Sequence, residues 1–260
     1  MGNNPLAGAV FFLRGMRLIF VPGIRAYVIV PLLVNVLLFS ALIYFGAAQF
    51  RELLDWLLPD WLDWLAWLLL PLFVVVTLIV VFFTFSLVGN LVAAPFNGLL
   101  AEAVECHLTG VPVPGGGVKQ MMLDLGRTLM SELVKLGYIV LRAIPVLILF
   151  LTPGLNLAAP FIWLLFGAWM LAISYLDYPM GNHGLGFPEQ RRRLAEHRYL
   201  ALGFGGAAMA ALAIPLVNFL VIPAAVAGAT VLWVERLEKA AGGDRGGPIR
   251  DAIDTRHEPD

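Results

Sequence analysis

The sequence predicts an all-α integral membrane protein, with two full transmembrane helices, partly inserted re-entrant helical hairpins and an N-terminal interfacial helix. Three observations carry this expectation. Sixty per cent of the 260 residues are hydrophobic and only 13% are charged, whereas a soluble domain carries about 25% charged residues. The charges are gathered into short polar stretches between long apolar runs, so the net charge of −1 says nothing about partners. Two of the later apolar runs are broken midway by the pattern Pro-x-x-Asn, at Pro153 to Asn156 and at Pro215 to Asn218. Cys106 is the only cysteine, which excludes a disulfide framework and a cysteine-built metal site.

Leu6 to Phe20 is interrupted by Arg14, Gly15 and Arg17 and has no small-residue cleavage site before Pro22, so it does not read as a signal peptide. It is too short and too charged to span, and reads as an amphipathic helix lying in the interface over residues 6–20. Val21-Pro22-Gly23-Ile24-Arg25-Ala26-Tyr27 follows and opens the first span, residues 22–50. Proline just inside a helix start loses no useful donor. The N–H groups of Gly23, Ile24 and Arg25 are then expected to point out of the helix end. The positive end of the dipole lies behind them and the Arg25 fork beside them, which suits an oxyanion. From these residues alone, Arg25 reads equally well as a headgroup anchor. Pro31 and Asn35 sit one turn apart inside the span, where Asn35 is expected to hydrogen-bond a neighbouring helix.

Arg51 to Trp64 is a polar connector with four acids and one arginine, bordered by Trp56, Trp61, Trp64 and Trp67 as an aromatic belt. The second span covers residues 65–93. Lys and Arg are scarce in the connector and frequent elsewhere, so the positive-inside rule puts both termini in the cytoplasm. After Ala94-Pro95-Phe96-Asn97-Gly98, a helix from Leu99 to Leu108 carries Glu102, Glu105, Cys106 and His107. His107 points away from the face shared by the two acids, so no metal site is expected there. Thr109 to Val118 is a loop.

Lys119 to Thr152 has a helical pattern in which Asp124, Arg127, Ser131, Lys135, Tyr138 and Arg142 recur at three- and four-residue steps as one polar stripe. Only Ala143 to Leu151 is free of charge, and at ~1.5 Å per residue it covers about half a bilayer core. Arg142 therefore needs a cavity, or a partner such as Glu102, Glu132 or an anion. The stripe reads either as part of an anion path or as a face wetted by the cytoplasm. The chain returns through Ala158 to Leu176. Tyr199 to Ile214 and Phe219 to Val234 repeat the device. Two hairpins are expected, at residues 119–176 and 199–236, both entering from the cytoplasmic side; four ordinary spans are the competing count. Between them, Glu189 to Arg198 is a basic helix suited to lipid headgroups or to concentrating anions. Residues 1–239 are expected to form one membrane-embedded domain, with a disordered polar tail at 240–260.

No nucleophile motif, phosphate-cradling loop or dinucleotide fingerprint is present, so neither an enzyme nor a nucleotide-driven pump is expected, and no cofactor or nucleic-acid partner. Several blocks carry a resemblance instead. Pro22-Gly23-Ile24-Arg25 leading into Val30-Pro31-Leu32-Leu33-Val34-Asn35 resembles the signature of the CysZ family of bacterial sulfate permeases. Ala93 to Glu102 is similar to that family's second motif, and Ala168 to Ile173 and Asp177-Tyr178-Pro179 with Asn182-His183 match further blocks. The resemblance covers roughly Leu6 to Lys239. It implies sulfate uptake across the bacterial inner membrane, feeding assimilation into cysteine, by a homo-oligomer built on dimers, up to a hexamer. It also implies sulfate binding at Gly23, Ile24 and Arg25, although Ala26 stands where many relatives carry a second basic residue. Asn35, Asn97, Glu102, Arg127, Lys135 and Arg142 are candidates for the anion path or gate. A permease for sulfite or thiosulfate, or a non-conducting scaffold binding membrane lipid, are the alternatives.

Overall fold

A computed structural model describes residues 3–34, 36–37, 40–41, 44–45, 72, 75–76, 96–112 and 125–238, with backbone alone at 125–132 and 216. Part of the expected span 22–50, including Asn35, most of the span 65–93, the acidic connector and the tail 240–260 lie outside the described residues. Every regular element among the described residues is a helix. The chain divides into two compact units, Phe20–Leu100 and Met1–Ile19 with Ala101–Asp260.

In the larger unit we number six helices: α1 (Pro5–Leu18), α2 (Leu125–Leu151), α3 (Ala159–Asn182), α4 (Phe187–Glu196), α5 (Arg198–Leu212) and α6 (Pro215–Leu232). A π-helical turn at Trp233–Leu237 continues α6. Capping sets the start of α1. Pro5 occupies its first turn and the Asn4 side chain accepts from the Ala7 N–H at 2.7 Å, which satisfies one orphan donor of the helix end. Ala7, Gly8, Phe11, Phe12 and Gly15 form the buried face of α1, a stripe at helical spacing. That face packs against α5 and α6. Arg14 clamps the far end with two hydrogen bonds to Glu235, at 2.8 and 2.5 Å. Leu6 and Leu13 on the opposite side stay exposed.

Small residues dominate the core where α3, α5 and α6 meet. Ala172, Ala208, Ala224, Ala225, Ala227 and Ala229 are fully or almost fully enclosed. With little hydrophobic drive between helices in lipid, close backbone approach and packing hold such contacts. The hydroxyl of Thr230, also enclosed, donates to the Val226 carbonyl one turn back at 2.9 Å, so no polar atom of this residue is left unpaired. Leu141, Leu151, Leu157, Phe161 and Phe219 point outward, as a lipid-facing surface should.

Among the described residues, three helical stretches are long and apolar enough to cross a bilayer: Leu133–Leu151, Ala159–Asn182 and Val217–Leu237. The first is twice the length expected from its charge-free part, because its charges share one stripe and leave the rest of the circumference apolar. The expected break at Pro153 to Asn156 is real. Leu155 N–H donates to Thr152 C=O at 3.2 Å around Pro153 and Gly154, whose φ is +85°, the signature of a type II turn. The second break is different. Pro215 lies in the first turn of α6 and Asn218 N–H bonds back to Ile214 C=O at 2.9 Å. Without a glycine to supply positive φ, the proline starts a helix and the connection shrinks to Ala213 and Ile214.

Candidate anion-handling site

The stretch from Val21 to Tyr27 is where an anion was expected, and its backbone departs from the expectation. Ile24 N–H donates to Val21 C=O at 3.1 Å around Pro22 and Gly23, and Gly23 has a φ of +93°. This is the same Pro-Gly turn as at Pro153-Gly154, with proline at its second position and glycine at its third. Glycine in the left-handed region cannot continue a right-handed helix, so the helix begins only after Arg25, whose carbonyl accepts from Ile29 at 2.9 Å. The Arg25 N–H also donates to Val21 C=O, at 3.1 Å. The N–H groups of Ile24 and Arg25 are thus used within the turn rather than offered outward, a correction to the expected helix end. Gly23 N–H makes no backbone hydrogen bond among the described residues. The Arg25 side chain is exposed, Ile24 is buried, and a Cβ added at Gly23 would meet nothing within 4 Å. The glycine is there for its φ, and it leaves open space beside the arginine.

Of the polar stripe on α2, Arg127 is described by its backbone alone. Lys135 is 8% exposed and ion-pairs with Asp177 of α3 at 2.5 Å. The other Asp177 oxygen accepts from the Gln190 amide of α4 at 2.7 Å. The Lys135 charge is therefore compensated inside the fold. Arg142 behaves differently. Its guanidinium carbon lies 5.3 Å from the centre of the Tyr138 ring, and that of Arg191, from α4, lies at the same distance. The Tyr138 hydroxyl accepts from the Trp169 indole N–H at 3.2 Å, and its ring packs edge-on to Phe187 at 5.4 Å. Neither arginine has a carboxylate partner among the described residues.

Residues 96–109 are helical, with Asn97 and Glu102 half-buried. Burial, and then the charge of Glu105, raises the Glu102 pKa. Glu102 meets neither Arg142 nor any other cation among the described residues. The acid that the fold uses is Glu105, 5% exposed and hydrogen-bonded to His183 Nε2 at 2.7 Å. Cys106 and His107 are exposed. Glu238 joins Glu105 and His183, bringing the three ligand-type atoms within 4.8 Å of one another. His183 also packs on the Trp233 ring at 5.3 Å, and Arg193 lies over the same ring at 5.5 Å while bonding Glu189 at 2.8 Å. By spacing alone Glu105 shares a face with Glu102 and not with His107; its partner lies 78 residues away. The only advance signal was that Asn182-His183 belongs to one of the resemblance blocks.

The hydrogen bond to Glu105 is the largest influence on His183 and raises its pKa above the ordinary 6.5; burial opposes it, Glu238 adds to it and Arg193 subtracts. A raised folded-state value means that the pair's stabilisation is complete below pH 6.5 and is lost as pH rises through the folded-state pKa. Thermal unfolding of the wild type and of Glu105→Gln should therefore differ most near pH 6, with the gap narrowing toward pH 9. A gap that widens with pH would reverse the assignment.

Residues 11–223 match the family described as sulfate transporter CysZ/etoposide-induced protein 2.4. A protein of Pseudomonas paraeruginosa named sulfate transporter CysZ is 45% identical over 240 residues, covering 90% of this chain and 98% of its own. One of the same name from Pseudomonas aeruginosa is 45% identical over 233 residues, with 88% and 95% covered. A third, from Pectobacterium atrosepticum, is 42% identical over 241 residues, with 90% and 86% covered. Matched along nearly its whole membrane-embedded length, the chain belongs to the sulfate transporter CysZ/etoposide-induced protein 2.4 family.

Proposed function

We propose that this protein carries sulfate across the bacterial inner membrane and so supplies assimilation into cysteine. The observation that carries the reading is the 45% identity, over 90% of the chain, to a protein named sulfate transporter CysZ. The anion meets the chain at the turn of Gly23, Ile24 and Arg25, through the Gly23 N–H and the Arg25 side chain rather than the N–H groups of Ile24 and Arg25. Sulfate is fully ionised at neutral pH and accepts hydrogen bonds without donating any, so it wants N–H groups and a guanidinium and no carboxylate. Exposed Arg25 supplies the charge, the Gly23 N–H and the helix start at residue 26 supply dipoles, and no acid stands between Leu6 and Arg51. Asn35, Asn97, Arg127 and Arg142 continue the path; Lys135 serves the fold.

The membrane arrangement completes the reading. Two full spans at residues 22–50 and 65–93 are accompanied by helical hairpins, α1 rests in the interface through Leu6 and Leu13, both termini are cytoplasmic and the working form is a homo-oligomer. Flux of labelled sulfate into vesicles of purified protein tests the whole. Arg25→Ala removes one charge-assisted contact worth about 1.5–3 kcal/mol, so uptake at low sulfate should fall ~10-fold or more. Excess unlabelled sulfate should compete more strongly than thiosulfate. Wild-type vesicles that pass no sulfate would sink the transport reading, and unchanged uptake by the variant would sink the site.

A further inference from the structure

We infer that Arg142, Arg191 and Tyr138 form a binding site for a tetrahedral oxyanion, made of residues other than Gly23 to Arg25. Two guanidiniums from different helices converge on one ring, each 5.3 Å from its centre. Like charges repel, and here the described residues hold no carboxylate to offset either arginine. Three cations close in sequence are in a different state. Lys135 has Asp177, while Arg192 and Arg193 both bond Glu189 and lower its pKa to about 2. A quadrupole face attracts each cation weakly at an exposed site, but it does not neutralise the pair. An anion would.

The phenol is set to take part. Its oxygen already accepts the Trp169 indole N–H, so its own proton is the group left to offer. Two guanidinium forks and one O–H are all donors, and a donor-only set selects a fully ionised oxyanion over any ligand that must itself donate. Arg142 lies in a stretch apolar enough to span a bilayer, and Arg191 in the short polar helix α4. Such a position admits two sources of the same chemistry: free sulfate, or the phosphate of a membrane lipid. The site rests on the transport reading only for naming sulfate as the free ion.

Full-length protein in nanodiscs decides the matter, with labelled sulfate binding measured in an Arg25→Ala background by equilibrium dialysis. Adding Arg142→Gln and Arg191→Gln should reduce the remaining binding at least ~10-fold, and Tyr138→Phe about 3-fold. The double lysine variant should recover part of the loss, since it keeps charge but not the fork. If lipid phosphate is the occupant, sulfate binding stays level and native mass spectrometry shows one fewer anionic phospholipid retained per protomer in the Gln variants. If neither readout moves, the inference is overturned. Arg191→Gln alone, on an exposed position, keeps the test intact should the double variant fail to fold. Sulfate bound without flux in the wild type would count against transport while leaving this site standing.

Discussion

Replacing Gly15 or Gly205 with alanine should prevent recovery of a folded protein, while the same change at Gly137 or Gly206 should be close to neutral. A Cβ at Gly15 would fall on the Ala224 carbonyl oxygen and the Gly228 N–H, and one at Gly205 on the Ala168 carbonyl oxygen. These are backbone atoms of neighbouring helices, so no rotamer change relieves the overlap; α1 would have to lift off α6, or α5 off α3. The contact region is enclosed, with Phe11, Phe12 and Phe204 between 0% and 2% exposed. Overpacking a rigid core costs about 1–3 kcal/mol when side chains can shift, and more when backbones must separate. That is a large share of the ~5–15 kcal/mol by which a protein is stable. Gly137 and Gly206 lie in helices with nothing within 4 Å of an added Cβ, so alanine there should gain up to ~1 kcal/mol from helix propensity. Yield of monodisperse detergent-solubilised protein and its melting temperature measure both. Four equal outcomes would show that close helix approach does not hold this unit together.

Those glycines also show what sequence alone could and could not convey. The membrane class and the helical character were legible because composition and a helical period are local properties. So was the tip at Pro153 to Asn156, where proline and glycine stand together. Pro22-Gly23 carries the same pair, yet in the sequence it reads as a helix start. Proline in a first turn and proline before a left-handed glycine look alike until φ is known, and the glycine decides. The role of α1 was harder still. Gly8 and Gly15 mark a face that approaches other backbones, but apolar surface next to arginines reads as well for a lipid interface.

The site residues divide along the same line. Arg25, Tyr138 and Arg142 were visible as charge or polarity beside apolar runs. The ion pairs that hold the fold were not, because they join positions 42, 78 and 221 residues apart, as Lys135 to Asp177, Glu105 to His183 and Arg14 to Glu235. No spacing rule reaches so far. A charged residue in an apolar helix announces that a partner exists; which partner is a property of packing. Lys135 is the clearest case, since its place on a basic stripe is legible in the sequence and its pairing with Asp177 is not.

Asp177→Ala should be among the most damaging single changes in the protein, and a paired apolar replacement should undo it. Asp177 accepts from Lys135 with one oxygen and from Gln190 with the other, so a single carboxylate ties α2, α3 and α4. Lys135 and Gln190 are 8% and 2% exposed, so water cannot readily replace what they lose. Removing one partner of a buried pair costs about 3–5 kcal/mol, because the remaining charge keeps its desolvation cost and loses the attraction of that carboxylate. The Gln190 amide would retain its bond to the Leu185 carbonyl at 2.9 Å, which places most of the loss at Lys135. Lys135→Met with Asp177→Leu removes both charges at similar volume and should restore much of the lost stability, as apolar replacements of buried pairs often do. The double-mutant cycle measured by thermal unfolding gives the coupling directly. Sulfate flux in the restored variant then separates the two readings of Lys135. Flux near the wild-type level assigns the lysine to structure, and flux lost in a stable protein returns it to the anion path.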